Sequence, residues 1–307
     1  SAGKDPIGHT RKAKPIITSR MSANKTVPGK ITLLNHVTEV PFNSGRVEFS
    51  DEQKKVVELT LDDNLLIRGQ AGSGKTTVLA ARAGKSLSVS SKGTMLFLTY
   101  NAALCEYVSK LFKQKSIGKD ITVSTYHDWA VKMADAMGYR YGQWLQQKER
   151  TEQIKTILGN AKQHKGDHRL YDPNDPDIVA WWNDEISWIF GQGITLFDEY
   201  KVVDRVGRGI AIRLPLIDRE YVWHVYSKYA DWLKANNKED YDNVAGIITQ
   251  ALKQYDCTVP EPLRYDHVFI DEVQDFDKSW LAMVAPFARI SLSMAGDIAQ
   301  KIDRKSV

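Results

Sequence analysis

The sequence predicts an α/β fold: a parallel sheet covered by helices on both faces, carrying an inserted all-α subdomain. Three observations lead there. Short apolar runs beside turn residues alternate with helical patterns, as buried parallel strands joined by helical crossovers do. Between Ile121 and Val268 the strand signal nearly vanishes and apolar residues recur at helical spacing. A glycine-rich loop, Gly69 to Thr76, stands between one apolar run and one helical pattern, at the edge where parallel sheets bind ligands.

The 307 residues suffice for one large domain or two modest ones, and 42% hydrophobic with 26% charged residues is a globular composition, not a disordered or fibrous one. No apolar run reaches membrane-spanning length and no signal-peptide pattern opens the chain. The two cysteines, Cys105 and Cys257, lack zinc-site spacing. A cytoplasmic or nucleoid-associated protein with free thiols is expected. The net charge of +4 is uneven, because residues 1–30 hold seven basic side chains against the single acid Asp5. Residues 1–44 therefore read as a basic leader, solvated and mobile, with phosphate binding as the alternative.

Strands are expected at Leu65–Ile67, Met95–Leu98, Ile121–Val123, Val268–Ile270 and Ile290–Met294. Residues 136–264 read as the inserted helical subdomain. Ile178, Trp182, Ile186 and Ile189, and then Val222, Val225, Tyr229 and Trp232, repeat at three- and four-residue steps within it. At that spacing Trp181, Trp182, Trp188, Trp223 and Trp232 are expected to be core. His164 to His168 lacks metal-site partners and reads as a polar loop, and Gly207-Arg208-Gly209 as a turn.

Gly69-Gln70-Ala71-Gly72-Ser73-Gly74-Lys75-Thr76 fits G-x-x-x-x-G-K-[ST] after a predicted strand and before a predicted helix beginning at Thr77. Such a loop curls its N–H groups around a phosphate chain, and the helix N-terminus adds positive potential. Residues Gly69 to Thr77 are thus the nucleotide-binding candidates, with Lys75 neutralising the β- and γ-phosphates and the Thr76 hydroxyl ligating Mg²⁺. His267 to Ile270 is an apolar run ending in Asp271-Glu272, which places two acids at a strand tip. Asp271 is the second magnesium-side ligand, and Glu272 the base that orients the attacking water. ATP and Mg²⁺ are the expected ligands.

Asp271-Glu272-Val273-Gln274-Asp275 resembles D-E-x-Q-D, motif II of the UvrD/Rep branch of superfamily 1 helicases, and further segments match in order. Phe49 to Gln53 looks like the Q motif, which implies that Gln53 reads the adenine edge. Thr99-Tyr100-Asn101-Ala102-Ala103-Leu104 is similar to motif Ia, and Ser124-Thr125-Tyr126-His127 to the T-[FY]-H motif. The resemblance implies that Thr99, Asn101, Thr125, Tyr126 and His127 line a single-stranded DNA track, with Tyr126 and His127 offering faces to bases. Ala295 to Gln300 looks like motif III, making Gln300 the γ-phosphate sensor. Tyr241-Asp242-Asn243-Val244 resembles the stretch before motif II.

The family's fold is a RecA-like ATP-binding domain, here residues 45–135 and 265–307, with a helical insertion between. The implied activity is ATP-driven 3′-to-5′ movement on single-stranded DNA, completed by a second RecA-like domain. Departures from the family occur too. Leu98 stands where relatives place an aromatic, and Lys301-Ile302-Asp303 replaces the usual Ser-Ile-Tyr after Gln300. Motifs IV to VI, whose arginines complete the ATP site, do not occur before Val307, so residues 1–307 alone are expected to turn over slowly or not at all. The alternative is a helicase-like nucleotide-binding module that docks a protein or nucleoprotein partner without unwinding.

Overall fold

Side chains on a strand alternate between its two faces, so a strand with a helix layer on each side must be apolar throughout. Met95–Thr99, buried at every position, meets that demand. The computed structural model describes residues 32–34, 49–89, 93–114, 121–161, 170–205 and 214–297. In chain order these form β1 (Thr32–Leu34), α1 (Asp51–Glu58), β2 (Leu65–Arg68), α2 (Lys75–Val89), β3 (Met95–Thr99), α3 (Ala102–Gln114), β4 (Ile121–Thr125) and α4 (Tyr126–Ala136). Next come β5 (Gln143–Trp144), α5 (Gln147–Ala161), α6 (Pro176–Gln192), α7 (Phe197–Val202), α8 (Leu216–Ala235) and β6 (Lys238–Glu239). The chain continues through α9 (Val244–Leu252), β7 (Tyr265–Ile270), α10 (Lys278–Val284) and β8 (Ala288–Gly296).

The main sheet is six-stranded and wholly parallel, in the order β1-β2-β8-β7-β3-β4. All five predicted strands belong to it. The sixth, β1, lies inside the segment read as a leader, where Thr32–Leu34 pairs with Leu65–Ile67 at the sheet edge.

Alternation sorts the strands into two cores. Met95, Phe97 and Phe269 pack with Val78 and Leu79 of α2 and Phe112 of α3. Leu96, Leu98, Val268 and Ile270 face the other way, onto Trp129 of α4, Ile248 of α9 and Trp280 of α10. The insertion has a third core, in which Trp182 is wholly buried among Ile154, Leu158, Ile186 and Val225, with Trp181, Trp188, Trp223 and Trp232 packed against it. This core runs from Leu145 to Leu233. Helix α9, which falls inside the predicted 136–264 insertion, instead buries Val244, Ile247 and Ile248 against the sheet.

A buried polar knot ties the insertion together. Asp240 accepts from Arg150 Nε at 2.9 Å and from the Tyr229 hydroxyl at 2.7 Å, while Arg150 also pairs with Asp242 at 3.3 Å. A second knot joins buried Glu185 to Arg205 and Tyr200. Among the described residues, no helix is long and apolar enough to cross a membrane. Gln300, the His164–His168 and Gly207–Gly209 segments, and the leader apart from β1 lie outside the described residues.

Candidate active site

The glycine-rich loop leaves β2 at Arg68 and enters α2 at Lys75. Ser73 N donates to Gln70 O at 3.2 Å and Val78 N to Gly74 O at 2.9 Å, so a tight turn runs directly into the helix. Gly74 has φ +77°, and a Cβ there would stand 3.0 Å from Gln53 Nε2, so both backbone and space call for glycine. The first-turn N–H groups of α2 have no intrahelical acceptor, which makes this end a site for anions. Lys75 is 7% exposed, and its Nζ donates to Gly69 O at 3.0 Å and Gln70 O at 2.8 Å. Its ammonium closes the loop on itself, at the spot from which it would meet a phosphate.

Gln53 is brought to this loop from α1. Its Oε1 accepts from Ser50 N at 2.8 Å, completing a capping box in which Ser50 Oγ accepts from Gln53 N. Its Nε2 donates to Ser73 O at 3.2 Å. With 1% exposure, the amide braces the loop. Arg82, about two turns along α2 from Lys75, fastens α2 to the end of α1. It donates to the carbonyls of Val56 (2.7 Å), Leu59 (3.1 Å) and Thr60 (2.9 Å).

The acid pair follows β7 on the same edge of the sheet. Asp271 N donates to Leu98 O at 2.9 Å, which holds the residue in the sheet register. Asp271 Oδ1 accepts from Glu272 N at 3.0 Å, whereas Oδ2 is buried without a hydrogen-bond partner. Burial pushes this carboxyl up to about 6. The Glu272 charge adds to the rise, and the Thr76 hydroxyl and Lys75 ammonium oppose it. An unsatisfied carboxylate oxygen beside a threonine hydroxyl is the hard oxygen set that Mg²⁺ takes, so Asp271 and Thr76 fit the ion. Glu272 is half-buried at φ +52°, and its Oε2 accepts from Gln274 Nε2 at 2.5 Å.

The predicted nucleic-acid residues divide into two groups. Thr99 and Tyr126 are both 0% exposed, which corrects their expected role as direct contacts. Tyr126 lies flat against Trp280, with ring centroids 4.0 Å apart, in the core beneath the surface. The reason is local: Thr125 caps α4, accepting from Asp128 N at 3.3 Å and donating to Asp128 Oδ2 at 2.7 Å, and this turns the next side chain inward. Asn101 is exposed, and its Oδ1 accepts from Ala103 N at 2.8 Å at the start of α3. His127 is half-buried, edge-on to Trp280 at 4.7 Å, and burial holds its imidazole below the usual pKa despite the charges of Asp242 and Asp128.

Sequence reasoning missed the aromatics that are exposed here. Tyr100 is 50% exposed and Tyr241 43%. Ring contacts run from Tyr100 to His127 (6.5 Å), on to Tyr241 (6.2 Å), and then to Trp144 (4.5 Å, stacked). The only available signal was that Tyr100 directly follows the last residue of a strand, where a side chain leaves the sheet. Gln274 and Arg82 were missed as well, since an amide inside a motif and an arginine on a helix announce no partner.

Residues 49–303 match the UvrD/REP helicase N-terminal domain. The chain is 25% identical over 267 residues to the ATP-dependent DNA helicase PcrA of Bacillus subtilis, covering 82% of this chain and 33% of that protein. It is 24% identical over 289 residues to DNA helicase IV of Escherichia coli, covering 80% of this chain and 39% of that one. It thus spans little more than a third of the length of these relatives. With the phosphate loop, the acid pair and the parallel sheet arranged as described, the chain belongs to the UvrD/Rep helicase family, whose N-terminal domain it matches.

Proposed function

We propose that this chain binds ATP with Mg²⁺ at the carboxyl edge of the sheet. Joined to a second RecA-like domain, it would couple hydrolysis to 3′-to-5′ movement on single-stranded DNA. The observation that carries the reading is the convergence of Lys75, Thr76 and the orphaned Asp271 Oδ2 on one edge, with Glu272 beside them. Lys75 exchanges the loop carbonyls for phosphate oxygens, and the amides of the loop and first helical turn take the remaining phosphate charge. Thr76 and Asp271 would hold Mg²⁺, which would supply positive charge against the phosphates. Glu272 orients a water and receives its proton as the new O–P bond forms and the bond to the ADP leaving group breaks. Gln300 is assigned to sensing the γ-phosphate by its place in motif III. The relatives' names, both DNA helicases, support DNA as the polymer.

The face formed by exposed Tyr100, Asn101 and Tyr241 around half-buried His127 is assigned to the single strand, because base stacking on aromatics tolerates any sequence. Titration with Mg²⁺–ATP tests the first half of the reading. Lys75→Ala is expected to weaken binding at least about tenfold, since a charge-assisted contact to phosphate is lost, and unchanged affinity would refute the site. Titration with a fluorescent oligonucleotide across a salt series tests the second half. Affinity should fall steeply with salt, and an absence of binding at low salt, with the second domain present, would favour the partner-docking module.

A further inference from the structure

Gln274 sits inside the D-E-x-Q-D run without an assigned task, yet its amide is engaged at both ends. Nε2 donates to Glu272 Oε2 at 2.5 Å, and Oε1 accepts from Asp297 N at 2.9 Å. Those partners follow two different strands, Glu272 just past β7 and Asp297 just past β8. Only a side chain with a donor and an acceptor can make both bonds, and an amide does so without adding charge. Glutamate would keep the acceptor and lose the donor, and methionine would fill the space and lose both.

The surroundings hold this bridge in place. Gln274 lies in a 3₁₀ turn, Val273–Asp275, seated on the end of β8. A Cβ on Gly296 would come within 2.5 Å of Gln274 Oε1 and 2.6 Å of Val273 Cγ1, so the turn can approach only because residue 296 is glycine. Glu272, at φ +52°, occupies the left-handed region that side-chain-bearing residues avoid, and it persists where neighbours over-determine it. Its amide is tied to Asp271 Oδ1 at 3.0 Å and its carboxylate to Gln274.

We propose that Gln274 is a positioning residue: it aims the Glu272 carboxylate at the attacking water and ties that aim to the end of β8. The β8 end leads into motif III, with Asp297 three residues before Gln300. Any displacement of that segment on nucleotide binding therefore reaches the base through one side chain. The inference rests on Glu272 being the water-orienting base, as argued above.

The test uses the chain joined to its second RecA-like domain, in excess over ATP, so that the single-turnover rate of hydrolysis is read. Mg²⁺–ATP affinity is measured alongside, together with hydrogen exchange at the Asp297 amide. Gln274→Met should slow hydrolysis about tenfold to hundredfold, the scale of a misaimed catalytic group, with nucleotide affinity unchanged and faster exchange at Asp297. Gln274→Glu should slow hydrolysis as much while Asp297 stays protected, which a merely structural side chain would not do. Wild-type hydrolysis by either variant, or affinity falling in step with rate, overturns the proposal alone. Glu272→Gln hydrolysing as fast as wild type overturns the reading of Glu272 and this proposal with it.

Discussion

Replacing Asp271 with asparagine should stabilise the nucleotide-free protein while removing its magnesium-side ligand. The carboxylate is 1% exposed, and one of its oxygens has no hydrogen-bond partner. Desolvation, reinforced by the Glu272 charge, lifts its pKa from 3.8 to about 6 against the pull of Thr76 and Lys75. At about 1.4 kcal/mol per pKa unit, the ionised group lowers stability by about 3 kcal/mol at neutral pH. Asparagine keeps the oxygen that accepts from Glu272 N but adds an amide that needs its own partner, so the expected net gain is about 1–3 kcal/mol. The folded pKa lies above the unfolded one. The deficit is therefore absent below about pH 4, grows as the pH rises toward about 6, and is constant above that. Thermal unfolding in a chelator should show D271N melting several degrees above wild type at pH 8, at about 2–4 °C per kcal/mol. The two should nearly coincide at pH 4, and saturating Mg²⁺–ATP should reverse the order by stabilising only wild type. A variant that melts no later than wild type at pH 8, or whose advantage persists at pH 4, would refute the claim that a buried, unsatisfied charge is held there.

Three further outcomes follow from the packing. Arg82→Met strands the buried carbonyl of Val56 and removes the donor to the half-buried carbonyl of Leu59 and to exposed Thr60, and should cost about 1–3 kcal/mol in urea unfolding; no measurable loss would show that water replaces the guanidinium. Asp240→Asn weakens the Arg150–Asp240–Tyr229 knot while Arg150 keeps Asp242, and should destabilise the insertion by about 1–3 kcal/mol. Mg²⁺–ATP affinity should hold in that variant, so a parallel loss of binding would mean that the insertion supports the nucleotide site. Tyr100→Ala should weaken single-stranded DNA binding by about 1–3 kcal/mol through lost stacking and leave the salt dependence nearly unchanged. A shallower salt slope without loss of affinity would count against stacking.

Which parts of this molecule could be read from its sequence follows from what decides each residue's role. Gly74, Lys75 and Asp271 were legible because short-range rules govern them: a strand, a turn with positive φ and a helix start leave few alternatives to a phosphate loop, and an apolar run ending in acids leaves few to a strand tip. The five strands were legible for the same reason, as their apolar runs cannot stay in water. β1 was not, because three residues are too short a run to stand out from a basic segment. The other roles depend on partners distant in sequence. Gln53 meets Ser73 from twenty residues away, and Gln274 meets Asp297 from twenty-three, so no local pattern reveals that both amides are engaged. Motif matching named Thr99 and Tyr126, but a motif records which residues gather at a site and not which side of the backbone they leave from. The Thr125 cap rotates Tyr126 onto Trp280, and Tyr100, one residue past the strand end, takes the exposed position instead. Backbone-defined chemistry is thus the legible half of this protein, and its side-chain surface is the half that required the fold. The exposed aromatics Tyr100 and Tyr241 are therefore where nucleic-acid contacts should be tested by mutation first.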